Sequence, residues 1–379
     1  MNEIMPAGKQ NGQSADMRPY IVAIFNQKGG ISKTTTSTNL AVCLAAYGKS
    51  VVVIDLDSQG DSTKSLGIDP NVKRGVYDLF VGAAEIDEVM LPTVFDGVRV
   101  LPSTYSLAGI EIKLSELKDS QRTLTNIVSH ASLDCDYVII DCPPALGILP
   151  INALASAHAV IIPVTATPYA NDGLMRTLPS IKYVQEGLNK ALLLQGVLFT
   201  IHDRNKTARK ISELIRARLG GTVYGAEIPR DNMVIEAATA RLPVCVYAPR
   251  SPAAQAHLDF STEFLDRHQK IAAKAGIAVP APPRREEAVA RLQEWQQRHA
   301  NDVDRPTGER VRKRKDQLDR MLYGDRTKME RLHLGVVHFF IENRMSLVAF
   351  LMVILAAVVT LVGMGVEGVR LLASTIGLS

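Results

Sequence analysis

A glycine-containing loop between an apolar segment and a Lys-Thr pair is the first feature of the sequence that could do chemistry. Residues 21–36 read IVAIFNQKGGISKTTT, so a short β-branched run leads into a loop that contains Gly29 and Gly30. The backbone N–H groups of such a loop form a nest for an anion, and the following helix points its positive end at the same place. Lys33 adds a cation there, and the Thr34 hydroxyl can bind Mg²⁺. The segment predicts a phosphate-binding loop.

The loop departs from the strict pattern G-x-x-x-x-G-K-[ST], because Gln27 and Ser32 occupy the two glycine positions. A serine at the second position must adopt backbone angles that glycine takes without cost. We expect either a slightly altered loop or a reduced affinity for nucleotide. A protein that binds ATP without turning it over is one interpretation of Ser32.

Two carboxylate segments and one proline segment follow the loop. Residues 51–63 read VVVIDLDSQGDST, and residues 137–144 read YVIIDCPP and place Asp141 at the end of an apolar run. Residues 228–230 read IPR and precede Glu236-Ala237. Any one of these alone is weak evidence, since an aspartate at the end of a strand is often only a capping residue. Their order after the phosphate-binding loop gives them weight.

These four blocks together resemble the ParA/Soj partition ATPases of the ParA/MinD class. Residues 28–35, KGGISKTT, resemble the deviant Walker A motif KGGxGKTT of that class, and the resemblance covers about residues 19–268. It implies an α/β fold with a doubly wound, mostly parallel sheet. It also implies weak ATP hydrolysis with ATP and Mg²⁺ as cofactors, and a homodimer that encloses two ATP molecules.

The resemblance assigns roles to individual residues. Lys33 is expected on the β- and γ-phosphates, Lys28 on the nucleotide of the partner subunit, and Asp57 beside the attacking water; these three are the catalytic candidates. Thr34 and Asp141 are expected to hold Mg²⁺. The cofactor-binding candidates are Gly29, Gly30, Ile31, Ser32, Lys33, Thr34, Thr35, Pro229 and Asp231.

DNA is a further partner that the resemblance implies, because ParA-like proteins bind DNA without sequence preference through basic residues. The matching region contains six basic residues: Arg204, Lys206, Arg209, Lys210, Arg216 and Arg218. An ordinary solvated helix face is the alternative interpretation. A ParB-like adaptor protein is expected as well. We see no N-terminal helix-turn-helix, so operator-specific repression is not expected.

A sheet must position these residues, and the pattern of the chain predicts one. Short β-branched runs alternate with helical stretches up to about residue 265, and several are apolar throughout, as expected for strands covered on both faces. The predicted strands are residues 21–25, 51–56, 98–102, 137–141, 159–164 and 192–200.

Bulk composition limits the alternatives. A chain of 379 residues exceeds the usual size of one domain, so extensions to the α/β domain are expected. With 46% hydrophobic and 22% charged residues the chain is not disordered throughout. The four cysteines form no CxxC pair, which argues against a zinc site or a disulfide framework and favours a reducing cytosol. The net charge of +4 is small for this length.

The C-terminal part of the chain differs from the rest in composition. Prolines near residue 280 mark a boundary, after which a charged, basic stretch predicts a helical linker over residues 279–344. Residues 347–366 are uncharged and long enough to cross a bilayer, so one transmembrane helix is predicted over residues 345–367. The basic residues before it predict a single-pass protein of the inner membrane with its ATPase domain in the cytoplasm. Residues 1–18 are expected to be a flexible leader, 19–278 the ATPase domain and 368–379 a short tail.

Two functional hypotheses follow. The first is an ATP-dependent, dimerising partition or positioning ATPase, for plasmid or chromosome segregation, that couples DNA or a ParB-like partner to the membrane. The second is a membrane-anchored organiser that recruits a conjugation, secretion or polysaccharide machine without contacting DNA.

Overall fold

A computed structural model of the chain describes residues 19–302, apart from residues 70, 116–118, 132, 168–169, 204, 278 and 282. The strands of this part are β1 (Tyr20–Ile24), β2 (Val51–Asp55), β3 (Leu91–Pro92), β4 (Val98–Leu101), β5 (Tyr137–Asp141), β6 (Ala159–Thr165), β7 (Leu193–His202) and β8 (Val223–Pro229). Its helices are α1 (Lys33–Ala46), α2 (Asp61–Ser65), α3 (Val76–Phe80), α4 (Ile86–Val89), α5 (Ile110–Ser115), α6 (Thr123–His130), α7 (Ile148–Ser156), α8 (Ala170–Gly187), α9 (Lys206–Leu219), α10 (Asn232–Thr239), α11 (Val244–Tyr247), α12 (Pro252–Lys274) and α13 (Arg285–Asp302). Short 3₁₀ turns lie at Tyr105–Gly109, Ser120–Arg122 and Gly220–Thr222.

The strands of the described residues form one sheet of eight, in the order β3-β4-β2-β5-β1-β6-β7-β8. All neighbours pair in parallel except β3, which runs antiparallel to β4 at one edge. β1 lies between β5 and β6, and the chain order reverses around it. Ligands of open α/β sheets bind outside the carboxyl ends of the strands at such a reversal. The loops after β1, β2 and β5 therefore converge there.

Both faces of the sheet are covered, because successive strand residues point to opposite sides. In β5, Val138 and Ile140 pack in one buried cluster, which also receives side chains from α3 and α5–α9. Tyr137 and Ile139 pack in the other, with α1 and α10–α13. The burial of all five β5 residues explains why its sequence is apolar without alternation.

Six predicted strands correspond to β1, β2, β4, β5, β6 and β7, with ends that differ by at most two residues. The α/β fold with a mostly parallel sheet is therefore confirmed. β3 and β8 were not predicted. β3 has only two residues, and Gly225 and Glu227 interrupt the apolar run of β8.

The helix α13 lies within the stretch for which we predicted a charged linker, and it packs on the sheet's own helices. Ala288, Leu292 and Trp295, the residues at helical spacing, are buried against the cluster that contains α1 and α11. The Trp295 ring contacts Phe95 with centroids 5.8 Å apart. Arg291 Nη1 donates to the Ala45 carbonyl, near the end of α1, at 3.1 Å.

The predicted localisation requires correction. Among the residues that the structure describes, no helix is both long enough and apolar enough to cross a bilayer. The longest of them, α12, has 23 residues and carries charged side chains such as Asp259, Glu263 and Arg267. The interpretation as a single-pass inner-membrane protein is therefore wrong on this finding, since charged groups in a spanning helix are costly. The segment predicted to span, residues 345–367, lies outside the described residues, as do the leader, the tail and residues 303–344.

Candidate functional site

The loop between β1 and α1 is anchored to β6 and to α8. Asn26 is buried; its Nδ2 donates to the Pro163 carbonyl of β6 at 2.8 Å and its Oδ1 accepts from the Lys28 N–H at 3.0 Å. Gln27 Nε2 donates to Ser180 Oγ of α8 at 2.7 Å. Gln27, which stands where the strict motif has glycine, thus ties the loop to α8.

The second half of this loop is where the anion nest is predicted. Gly30 and Ser32 both have left-handed backbone angles, with φ of 69° and 64°. The Ser32 carbonyl accepts the Thr36 N–H at 2.8 Å, which begins α1, but the Ser32 side chain caps no helix N–H. Ile31 is buried, and its carbonyl accepts from Thr200 Oγ1 at 2.9 Å. A left-handed serine costs about 1 kcal/mol, and such outliers cluster at functional sites.

The two lysines of the loop have different environments. Lys33, the first residue of α1, is 7% exposed, and its Nζ donates to the Lys28 carbonyl at 3.0 Å. Burial lowers the pKa of Lys33, while the carboxylates of Asp141 and Asp57 oppose that shift. The Lys28 side chain is exposed to solvent. One cation therefore points into the site and the other out of it.

Two buried carboxylates lie side by side at the ends of neighbouring strands. Asp55 and Asp141 are the last residues of β2 and β5 and are direct partners in the sheet register; neither is exposed. Burial raises the pKa of both groups, and for Asp55 the neighbouring Asp141 charge adds to the effect. Ser37, Ser62 and Thr34 donate hydrogen bonds to Asp141 and lower its pKa in part.

Asp57 lies at the start of the loop that joins β2 to α2. Its Oδ1 accepts from the Gln59 N–H at 3.0 Å and its main-chain N–H donates to Asp55 Oδ1 at 3.1 Å. Gly60 ends the loop with a left-handed φ of 64°, a conformation that favours glycine. Asp57 is half-buried and close enough to Lys33 to raise the pKa of that lysine.

Thr34 and Asp141 offer a hydroxyl and a buried carboxylate that are already in contact through a hydrogen bond. These hard oxygen donors suit Mg²⁺, which is usually held by one or two protein groups together with phosphate oxygens and water. In the described part of the chain, no group of three or more His, Cys, Asp or Glu side chains could hold a metal. The donor set thus fits magnesium that arrives with a nucleotide.

A cavity of about 330 Å³ lies beside the start of α1. Its lining includes Thr34 and Thr35 of α1, Lys64 of α2 and Val234 of α10. A second cavity of about 380 Å³ lies between α9 and the ends of β7 and β8, and the predicted residue Pro229 lines this one.

The carboxylate of Asp231, a predicted cofactor residue, has two main-chain partners. It accepts from the N–H groups of Met233 and Ala253, each at 3.0 Å, and so begins α10 and fastens it to the first turn of α12. Both carboxylate oxygens of Asp231 thus have a protein donor, and its side chain serves as the cap of α10.

The basic residues predicted to contact DNA belong largely to α9. Lys206, Arg209 and Lys210 are exposed in its first turns. Arg216 is half-buried and donates to the Tyr224 carbonyl and to Glu227, each at 2.8 Å. Arg218 is exposed on the last turn, and Arg204 lies outside the described residues.

Comparison with known proteins extends this picture. A family model described as an AAA domain matches residues 19–194. The sporulation initiation inhibitor protein Soj of Bacillus subtilis is 40% identical over 245 residues, which are 64% of this chain and 97% of Soj. The chain belongs to the ParA/Soj family of P-loop ATPases. The chromosome partitioning protein ParA of Caulobacter vibrioides is 37% identical over 259 residues, 67% of this chain and 97% of that protein.

Solved structures share this fold. Cobyrinic acid a,c-diamide synthase from Mycobacterium smegmatis, with bound ADP and magnesium, is 32% identical and superposes with a TM-score of 0.58, covering 70% of this chain and all of that one. The septum site-determining protein MinD of Pyrococcus horikoshii, in complex with Mg-ADP, shares the fold at 24% identity and a TM-score of 0.55, over 68% of this chain and 99% of MinD. As a member of the ParA/Soj family the chain is an ATPase with ATP and Mg²⁺ as cofactors, which confirms both predictions.

Several residues of this ParA/Soj-family site were missed from sequence. Asn26, Ser37, Asp55 and Ser62 all bond to the loop or to its carboxylates. Asp55 carried a usable signal, because it ends an apolar strand two residues before Asp57. Ser37 and Ser62 carried none, since their partner Asp141 is 104 and 79 residues away in the chain.

Proposed function

We propose that this chain is a partition ATPase of the plasmid or chromosome segregation type. In this proposal ATP closes two subunits over two nucleotides, the closed dimer binds DNA or a ParB-like partner, and slow hydrolysis opens it again. The observation that carries the proposal is the opposite placement of two lysines on one loop, with Lys33 buried and Lys28 exposed. Family membership supports it, since the relatives named above include the chromosome partitioning protein ParA of Caulobacter vibrioides.

The inward half of the loop would hold the triphosphate. Lys33 neutralises phosphate charge, and the N–H groups between Gly29 and Thr35 line the anion nest at the positive end of α1. Thr34 and Asp141 would hold Mg²⁺, which supplies neutralisation of the charge that develops on the phosphate oxygens. These residues need no covalent chemistry, because phosphoryl transfer depends mainly on positioning and on charge stabilisation.

Asp57 would orient the attacking water. It is half-buried, so its carboxylate is accessible to solvent on one side while the other side is fixed by the Gln59 N–H. An accessible carboxylate near Lys33 meets the geometric need of a group that holds a water in line with the phosphate.

Lys28 would reach the nucleotide of the second subunit. Within its own subunit it contributes the main-chain carbonyl to Lys33, while its side chain points into solvent. A site that needs this side chain from the partner is complete only in the dimer, so ATP favours the closed state.

The DNA contact is assigned to α9. Lys206, Arg209 and Lys210 crowd the N-terminal end of this helix, where Asn205 is the cap and no acidic residue is present in the first turn. Cations at the positive end of a helix are unfavourable, so this arrangement favours an anionic ligand. A DNA phosphate contacted there would be held by the helix end and by the three side chains together.

Binding of the full-length chain to a labelled duplex of random sequence tests the proposal. We expect binding with a non-hydrolysable ATP analogue and Mg²⁺, and much weaker binding with ADP. A triple variant, Lys206→Ala, Arg209→Ala and Lys210→Ala, should lose binding and lower the slope of log affinity against log salt by about three.

A matched triple variant removes three other exposed lysines, Lys190→Ala, Lys270→Ala and Lys274→Ala, and should retain most of the binding. If both triple variants lost DNA binding equally, binding would depend on the net charge of the protein and not on a contact at α9. Binding that is the same with ATP analogue, ADP and no nucleotide would contradict the proposed switch.

A further inference from the structure

We propose that Ser62 is a positioning residue that ties the loop carrying Asp57 to the metal-binding carboxylate of Asp141. The inference rests on the proposed function and goes beyond it. It states how the position of the water-orienting group depends on the state of the metal site.

The contact itself is short and buried. Ser62 has no exposed surface, and its Oγ donates to Asp141 Oδ2 at 2.7 Å. A hydroxyl donor on a carboxylate at this distance forms a charge-assisted hydrogen bond, which is stronger than a neutral one. Ser62 lies in the first turn of α2, so the bond holds the start of this helix against β5.

The next residue makes the matching contact with the other buried carboxylate. Thr63 donates its N–H at 2.8 Å and its Oγ1 at 2.7 Å to Asp55 Oδ2, and its Oγ1 accepts the Ser103 N–H at 3.0 Å. Two successive residues of α2 therefore bind two adjacent carboxylates. The first turn of α2 cannot shift along the sheet edge without breaking bonds to both.

Asp57 is joined to this turn by a short loop. The Gly60 N–H donates to the Asp57 carbonyl at 2.9 Å, and the Asp57 N–H donates to Asp55. The loop is therefore closed at both ends by hydrogen bonds, and a shift of α2 must move Asp57. In this series of hydrogen bonds, Ser62 is the residue that contacts Asp141, the proposed Mg²⁺ ligand.

Asp141 has a comparable donor on its opposite side, which supplies a control. The Oγ of Ser37, equally buried, lies 2.9 Å from Asp141 Oδ1 and 3.0 Å from the Lys33 carbonyl, so its single proton is shared between these two acceptors. Ser37 belongs to α1 and has no bond to the Asp57 loop among the described contacts. Loss of either serine removes one donor from the same carboxylate, but only Ser62 connects that carboxylate to Asp57.

The test compares Ser62→Ala with Ser37→Ala in the full-length chain. Hydrogen–deuterium exchange of the peptide that spans residues 57–66 is measured with ADP alone and with ADP plus Mg²⁺, and steady-state turnover of ATP is measured in parallel. In the wild type and in Ser37→Ala we expect Mg²⁺ to slow exchange in this peptide. In Ser62→Ala the magnesium-dependent slowing should be lost.

Turnover gives the second readout. Ser62→Ala should lower kcat by about tenfold, because the loss of one charge-assisted hydrogen bond in the transition state slows a reaction by about that factor. The KM for ATP should stay within about twofold of wild type. A residue that only stabilised the fold would lower the melting temperature without this separation of kcat from KM.

The inference fails if magnesium slows exchange in Ser62→Ala as it does in the wild type, or if kcat stays within about twofold of wild type. It fails equally if Ser37→Ala loses the exchange response to the same extent, because the effect would then belong to Asp141 alone. In each of these cases ATP binding and turnover by the wild type leave the proposed function standing. A wild-type chain that binds no ATP would overturn the proposed function and this inference together.

Discussion

Lys33 Nζ donates a hydrogen bond to the main-chain carbonyl of Lys28 at 3.0 Å, so the buried lysine of the loop is held by the backbone of the exposed one. The Lys33 side chain is buried, while the Lys28 side chain is exposed to solvent. It also means that Lys28 contributes to the site in two separable ways, through a carbonyl that any residue would supply and through a side chain that only lysine supplies.

Replacement of each lysine by alanine should therefore have different effects. Lys33→Ala removes the buried cation, and we expect the affinity for a fluorescent ATP analogue to fall by at least about a hundredfold. Lys28→Ala keeps the carbonyl, so the affinity of the isolated subunit should stay within about threefold, while ATP-dependent dimerisation and turnover are lost. Titration by fluorescence anisotropy and sedimentation velocity measures the two effects. Equal loss of nucleotide affinity in both variants would contradict the division of roles.

Ser32→Gly should stabilise the chain. Ser32 has a φ of 64°, which a residue with a Cβ adopts at a cost of about 1 kcal/mol and glycine adopts freely. Its side chain makes no capping bond to α1, so little is lost with it. We expect the free energy of unfolding in urea to rise by about 0.5–1 kcal/mol, and the affinity for ATP to rise or stay equal.

Ser32→Ala separates the two contributions of this serine, because it removes the hydroxyl but keeps the Cβ. It should show no gain in stability. A rise in Ser32→Ala as large as that in Ser32→Gly would assign the effect to the hydroxyl and not to the backbone angle.

The sheet was largely predictable because each central strand is an apolar run that is buried on both faces. Val51–Asp55 and Tyr137–Asp141 match the predicted strands closely, since burial of every residue leaves only β-branched and apolar types. The packing of α13, by contrast, was not predictable. The spacing of Ala288, Leu292 and Trp295 indicated a helix with one apolar face, but its contact Phe95 is 200 residues earlier in the chain.

The candidate site was predictable where its residues are contiguous. The loop from Gln27 to Thr35 uses local backbone geometry, so its pattern is visible in the sequence. The bonds of Ser62 and Ser37 to Asp141 depend on the register of β2, β5 and β1, which short-range patterns do not determine. The αL angle of Ser32 was inferred from the glycine that usually stands there, and the structure places it in that region.

Acid should destabilise the chain through His257. This histidine of α12 has no exposed surface, neither ring nitrogen has a hydrogen-bond partner within the part of the chain that the structure describes, and burial lowers its pKa to about 3. The unfolded chain binds a proton near pH 6.5 and the folded chain does not, so stability is fully present above about pH 6.5 and falls as the pH drops. Between pH 6.5 and pH 5 this group alone should cost about 2 kcal/mol of unfolding free energy.

Urea denaturation at pH 7 and pH 5 measures the effect against His257→Leu, which keeps the apolar surroundings and cannot bind a proton. The variant should lose less stability on acidification than the wild type. His130→Ala, at an exposed position on α6, should behave like the wild type. An equal pH response of wild type and His257→Leu would show that other groups cause the acid sensitivity.

Trp295→Ala should show that α13 is a structural part of the ATPase fold. Trp295 is 1% exposed and packs on Phe95, so its truncation leaves a large cavity between α13 and α1 and should cost about 3–5 kcal/mol of unfolding free energy. Arg298→Ala, on the same helix, removes exposed ion pairs with Asp96 and Glu294 and should cost less than about 1 kcal/mol. Urea denaturation of the full-length chain compares the two. Similar small losses would mean that α13 detaches readily, and that the packing of Trp295 contributes little to the stability of the domain.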